Sequence, residues 1–131
     1  MRWKFEVPGK LPSLNEYIDE NRKGWKPGSN RKKSTDEQVE AAIGANHPQF
    51  EGAVDIWVAW IRPNMRADKD NVRSAVKFIQ DALQKTGVIK SDGWKWCTPH
   101  DVYRVNKANP RTVVIVQDAW EPAPTAEDFA E

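Results

Sequence analysis

The sequence contains very little cysteine and histidine. Of its 131 residues, one is cysteine, Cys97, and two are histidines. A lone cysteine excludes an internal disulfide and a zinc site built from cysteines. No apolar run approaches the roughly 18 residues of a membrane span, and the opening MRWKFEVPG is too short and too mixed for a signal peptide. We therefore expect a cytoplasmic protein with no membrane partner.

Negative charge is concentrated at the carboxyl end. Residues 118–131 include five acidic residues and no lysine or arginine, and we expect them to form an acidic, disordered tail. Residues 1–117 hold 20 basic against 14 acidic residues, a net charge of +6. A basic body suits an anionic partner. The length fits one domain with one modest core, so 1–117 is the predicted domain.

Hydrophobic patterning predicts an α+β fold. Strands are expected at 2–7, 52–61, 101–107 and 111–117, and the second is apolar on both faces, as is typical of a central strand. One helix is expected at 35–45, where Ser34 and Glu37 form a capping-box pattern. A second is expected at 71–85, ended by Gly87. The prediction is a single domain with a mixed four-stranded sheet and two main helices.

Residues 21–34 are strongly basic and contain no acidic residue. Because Gly24, Pro27 and Gly28 disfavour a helix or strand, we expect a mobile loop. Cations around a tryptophan suit nucleic acid, since they contact phosphates while the ring stacks on bases; the alternative is a solvated loop. The candidate DNA-binding residues are Arg22, Lys23, Trp25, Lys26, Arg31, Lys32 and Lys33.

Two carboxylates, Asp68 and Asp70, come just before the second predicted helix. Two residues apart on an extended chain, they point to the same side, and Mg²⁺ is bound by one or two carboxylates with water and phosphate oxygens. Asp92 follows the helix in a turn and is a third candidate. Lys77 is expected on the helix face of Asp70, roughly 10 Å along the axis. The alternative is that Asp70 caps the helix while Lys77 and Asp92 are surface residues.

The spaced pattern D-x-D-N, K-x-x-x-D-A-L and G-V-I-x-x-D resembles the signature of the RusA family of Holliday-junction resolvases, often carried by phages and prophages. The matching residues are Asp68, Asp70, Asn71, Lys77, Asp81, Ala82, Leu83, Gly87 and Asp92, with Pro12, Asn15 and Tyr17 in the opening LPSLNEYI. The family's lysine follows the second aspartate by four residues, where this chain has Ser74. Lys77 matches when the alignment is anchored on Asp81, and Arg73 is the alternative basic residue.

The resemblance implies a homodimeric, Mg²⁺-dependent crossover-junction endodeoxyribonuclease, for which Mn²⁺ can substitute. Such an enzyme resolves four-way DNA by paired symmetric nicks in recombination and repair. Asp68, Asp70 and Asp92 would bind the metal and, with Lys77, form the catalytic set, while Arg73 would contact DNA. Asp92 would reach the site within its own chain or across the dimer. Two alternatives stay open: a metal-dependent nuclease with another branched-DNA or RNA preference, and a non-catalytic DNA-binding module.

Overall fold

The second strand, β2 (Val54–Arg62), lies inside the sheet as its sequence predicts. The structure is a computed structural model that describes residues 1–130, without the side chains of residues 25–29 and 31. The sheet order is β1-β4-β2-β3, with β2 antiparallel to β4 and parallel to β3. The predicted mixed four-stranded sheet is thus confirmed. The other elements are β1 (Arg2–Pro8), α1 (Leu14–Arg22), α2 (Trp25–Ile43), α3 (Lys69–Arg73), α4 (Val76–Lys85), β3 (Cys97–Val105), β4 (Arg111–Asp118) and a short 3-10 helix (Ala126–Phe129).

The two faces of β2 belong to two apolar clusters, because side chains alternate along a strand. Val54, Ile56, Val58 and Trp60 enter the main core, where they pack with residues of α2 and α4. The intervening Ala59 and Ile61 belong to a smaller cluster on the opposite face. In the described part of the chain, no helix is both long and apolar enough to cross a membrane.

The basic segment 21–34 is helical rather than an extended loop. α1 ends at Arg22, and α2 begins at Trp25 after Gly24, whose φ of +127° favours glycine and permits the tight turn. Pro27 falls in the first helical turn, where a missing N–H breaks no intrahelical hydrogen bond. The far end of α2 is fixed by buried Val39 and Ile43. The predicted helix at 35–45 is therefore the second half of a 19-residue helix.

The predicted helix at 71–85 is divided into α3 and α4. The Ser74 hydroxyl donates to the Asn71 carbonyl at 2.7 Å, and the Ala75 N–H donates to the Val72 carbonyl three residues back. Local hydroxyl bonds and 3-10 contacts of this kind compete with the α-helical ladder. The break changes the direction in which residues beyond Ser74 face relative to Asp70.

The acidic tail is ordered up to residue 130, contrary to the predicted disorder; Glu131 lies outside the described residues. Phe129 is 2% exposed and packs into the smaller apolar cluster. Thr125 and Asp128 form a reciprocal capping box around the 3-10 helix. Arg2 donates to the Pro122 carbonyl at 2.9 Å and lies 3.6 Å from an Asp128 oxygen. Acidic composition suggested disorder, but one buried aromatic and the cations of β1 hold the segment against the sheet.

Candidate functional site

A cavity of about 410 Å³ opens at the carboxyl ends of β2 and β3. Its walls include Trp60 and Arg62 from β2, Tyr103 and Arg104 from β3, and Asp68 at the start of α3. Because β2 and β3 are parallel, both strands deliver their last residues to the same edge. Ligands of open α/β sheets commonly bind outside the carboxyl ends of strands. We refer to this space as the strand-end cavity.

Asp68 lines this cavity, and Asp70, two residues further along the chain, acts electrostatically on Tyr103 in the cavity wall. Asp68 is the N-cap residue of α3, yet its side chain makes no capping hydrogen bond. Asp70 lies in the first turn of α3, so the N-cap position belongs to Asp68 rather than Asp70. Both side chains are exposed. Helix initiation therefore leaves the Asp68 carboxylate available for another partner.

Three cations line the strand-end cavity: Arg62, Lys69 and Arg104. The Arg62 side chain is 13% exposed, donates to the Leu11 carbonyl at 3.0 Å and lies 3.9 Å from a Glu16 oxygen. Burial lowers the pKa of Arg62 from a starting value so high that the group stays charged. With Asp68 as the acidic group among these lining residues, the cavity is net positive and suits an anion.

A polar network sits beside the cavity around Asp101, a residue that the sequence analysis did not single out. The Trp60 indole N–H donates to one Asp101 oxygen at 2.8 Å, and the Arg73 Nε donates to the other at 2.9 Å. The hydrogen bond that Arg73 donates to Asp101 is the main reason that the pKa of Arg73 is raised. With both oxygens engaged by protein donors, Asp101 is a positioning carboxylate.

Tyr103 connects this network to the cavity. Tyr103 lies close enough to Arg73 for the two side chains to interact electrostatically, and the Lys69 ammonium lies 5.0 Å from the centre of the Tyr103 ring. Burial raises the pKa of Tyr103, with smaller contributions from the charges of Asp101 and Asp70. The hydroxyl is thus a protonated donor at neutral pH. The only sequence signal for Asp101 and Tyr103 was their spacing of two on a predicted strand.

Asp92 lies far from the other two predicted metal ligands. Its backbone N–H donates to the Gln84 side chain at 3.0 Å, at the end of α4 and shortly before β3 begins. Asp68 instead follows the other end of the β2–β3 pair, whose nine residues span roughly 26 Å. Among the residues described, no three His, Cys, Asp or Glu side chains are grouped to hold a metal ion. The described part of the chain therefore does not bring Asp92 together with Asp68, and a metal role for Asp92 stays a prediction.

Lys77 faces a different space, a smaller cavity of about 270 Å³ that also includes Tyr17 and Phe78. Its ammonium lies 3.6 Å from an Asp81 oxygen, and its side chain is 75% exposed. We refer to this space as the helix cavity. The structure does not bring Lys77 into the strand-end cavity with Asp68, because the turn at Ser74 intervenes.

The predicted DNA-binding residues occupy the α1–α2 corner. Arg22 and Lys23 are exposed and pair locally with Asp19 and Glu20. Lys32 and Lys33 are exposed on α2, and Lys32 borders the helix cavity. The side chains of Trp25, Lys26 and Arg31 lie outside the described residues.

No protein-family model matches this chain, and no curated protein matches it significantly. The fold and site by themselves define a small α+β domain. Its distinguishing feature is a cationic cavity at the end of a parallel strand pair, with two exposed carboxylates beside it.

Proposed function

We propose that this protein is a metal-dependent endonuclease that acts on branched DNA, with four-way Holliday junctions as the preferred substrate. The observation that carries the proposal is the position of Asp68 among the cations of the strand-end cavity, with Asp70 two residues away in the first turn of α3. A phosphodiester needs both: carboxylates to hold a divalent cation and positive side chains to neutralise the phosphate. The resemblance to the RusA signature rests on the same two aspartates.

The carboxylate pair suits Mg²⁺, or Mn²⁺ in its place, because Mg²⁺ is commonly held by one or two carboxylates, with water and phosphate completing its shell. Asp68 and Asp70 would hold the ion, whose chemistry is to lower the pKa of a water and to neutralise charge on phosphate. Lys69 and Arg104 bind the phosphate from the protein side. Arg73, fixed by Asp101, takes the basic role that the sequence assigned to Lys77 or Arg73.

The proposed enzyme acts as a homodimer, since two symmetric nicks at a four-way junction require two symmetric active sites. Asp92 precedes β3 whereas Asp68 follows β2, at the other end of the paired strands, and this placement favours a contribution of Asp92 to the site of a second copy. Mixing Asp70→Asn protein with Asp92→Asn protein tests this directly. If Asp92 acts across the dimer, half of the mixed dimer's sites are intact and nicking returns. Two inactive proteins that stay inactive when mixed show that Asp92 has no such role.

The primary test is cleavage of a labelled four-way junction by purified protein with Mg²⁺ or Mn²⁺. Asp70→Asn should abolish cleavage while junction binding is kept or tightened, because a negative charge facing DNA is removed. Glu51→Gln is the matched control, since Glu51 is 81% exposed and pairs with Lys90, away from the cavity. Chelation of the metal should give the same loss as Asp70→Asn. Absence of cleavage in wild-type protein with either metal would refute the enzymatic proposal.

A non-catalytic DNA-binding module is the second candidate, favoured by the separation of Asp92 from the other two aspartates. It predicts junction binding without cleavage and the same affinity with or without chelator. Comparing flaps, forks and RNA duplexes with the junction in the same assay separates a nuclease of another substrate preference.

A further inference from the structure

The helix cavity has the composition of a nucleobase site, and none of the steps proposed above uses its apolar walls. Tyr17 and Phe78 meet edge to face with ring centres 5.8 Å apart, and both line the cavity. Leu14 adds an apolar wall and is 43% exposed. At about 270 Å³, the space lies at the lower limit of small-molecule sites and fits one ring system.

Polar groups stand at the edge of this apolar space. Lys32 and Lys77 border it and are exposed, so both can reach an anion outside the cavity. Asp81 also borders it and pairs with Lys77 at 3.6 Å. A pair as exposed as this contributes little stability, so a phosphate can compete for the ammonium. The Asp81 carboxylate would in turn be an acceptor for an exocyclic amino group, the arrangement by which acidic side chains recognise cytosine.

The helix cavity and the strand-end cavity flank the same short stretch of chain. Val72 lines the strand-end cavity, whereas Ser74 lines the helix cavity two residues later. A DNA strand with a phosphate in the strand-end cavity therefore passes near the helix cavity. We propose that the helix cavity binds a single unstacked nucleobase carrying a phosphate, with the base against Tyr17 and Leu14 and the phosphate on Lys32 and Lys77. The placement of that base beside a scissile phosphate rests on the proposed function.

The test begins without DNA cleavage. Ring signals of Tyr17 and Phe78 are followed by NMR in metal-free buffer while deoxycytidine monophosphate, deoxyribose 5-phosphate or inorganic phosphate is added. The nucleotide should shift both rings saturably, and the two base-free compounds should not. Replacing an aromatic side chain that stacks on a base weakens binding by about five-fold or more. Tyr17→Leu should therefore weaken the nucleotide at least about five-fold, and Leu14→Ser should do the same without removing a ring.

Trp94→Ala is the matched control, because Trp94 is fully exposed and borders neither cavity; it should leave nucleotide affinity unchanged. Lys77→Gln should weaken the nucleotide but not the uncharged nucleoside. A free nucleotide and a DNA strand are distinguished by a four-way junction with or without abasic positions next to its centre. If the base comes from DNA, the intact junction should shift the Tyr17 signal more than the abasic one. Equal shifts mean that the cavity takes free nucleotides only.

The two proposals fail separately. If the nucleotide shifts the ring signals of Tyr17 and Phe78 but no substrate is cleaved, the nuclease proposal is refuted and the nucleobase site is supported. If the junction is cleaved while nucleotide, base-free phosphate sugar and phosphate all give the same response at Tyr17, the nucleobase site is refuted. The same refutation follows if Leu14→Ser and Tyr17→Leu, shown to be folded by circular dichroism, bind the nucleotide as tightly as wild type.

Discussion

Asp101 offers the sharpest test of the network beside the strand-end cavity. Asp101→Ala removes the acceptor of the Trp60 indole, and Trp60 is only 2% exposed. A buried donor left without a partner costs about 1–3 kcal/mol. The lost ion pair with Arg73 adds less, about 0.5 kcal/mol, because the Arg73 side chain is 42% exposed. We therefore expect Asp101→Ala to lower the free energy of unfolding by roughly 2–3 kcal/mol.

Asp101→Asn separates the two contributions. The asparagine carbonyl keeps an acceptor for the Trp60 indole but loses the charge that holds Arg73. Its cost should be about 1 kcal/mol or less. Urea unfolding of wild type and both variants, followed by tryptophan fluorescence and repeated by circular dichroism, gives the three free energies. Under the proposed function both variants also lose cleavage, because Arg73 and Tyr103 are no longer fixed.

A Trp60→Phe background provides the control. There the indole N–H is absent, so Asp101→Ala should cost only about the exposed ion-pair contribution of 0.5 kcal/mol. The reasoning is refuted if Asp101→Ala costs the same in both backgrounds, or if the Ala and Asn variants are equally stable. Either result would mean that the indole hydrogen bond does not contribute as the geometry indicates.

Two further predictions concern the docked tail. Phe129→Ala removes a 2% exposed ring that lies 5.6 Å from the Arg104 guanidinium; we expect a loss of roughly 3 kcal/mol in urea unfolding and faster proteolysis after residue 118. A loss below about 1 kcal/mol would show that the tail is only loosely docked. The hydrogen bond from the Thr125 backbone lowers the pKa of Asp128 below its ordinary value of 3.8. The ionised Asp128 carboxylate therefore stabilises the folded protein fully above pH 3.8, and this stabilisation disappears as the pH falls through the lowered pKa of the folded state. Asp128→Asn should therefore flatten the acid limb of the stability curve, and an unchanged limb would contradict this origin.

Alternating apolar residues were sufficient to locate the sheet. β2 was predictable because both of its faces are buried, and a strand in that environment must be apolar at almost every position. The pairing of β2 with β3 was not predictable, since strand pairing depends on contacts between residues distant in sequence. Trp60 faces Tyr103 only through that register, so Asp101 and Tyr103 could not be linked to Asp68 from the sequence.

α1 and the first half of α2 were missed for the opposite reason. The apolar stripe of α1 is short, limited to Leu14, Tyr17 and Ile18, and none of its side chains is buried, so the helical pattern is weak. The signal that could have found α1 is local: Ser13 accepts from the Glu16 N–H at 3.3 Å, an N-cap at the expected spacing. Glycine and proline in 24–28 suggested a loop, although at the start of a helix their cost is small.

The turn at Ser74 explains why one part of the candidate site matched expectation while another did not. Asp68 and Asp70 precede the turn, so their position depends only on the end of β2 and the start of α3. Lys77 follows it, and its expected face assumed a continuous helix. The Ser74 hydroxyl donates back to the Asn71 carbonyl, and the helix is interrupted there. The side chains of α4 therefore face in a different direction from those of α3, and Lys77 lies at the helix cavity. Arg73, the last residue of α3, stays on the side of Asp101 and Tyr103. If the protein cleaves DNA, Arg73→Ala should therefore impair cleavage more than Lys77→Ala, and the reverse order would restore the lysine to the catalytic role.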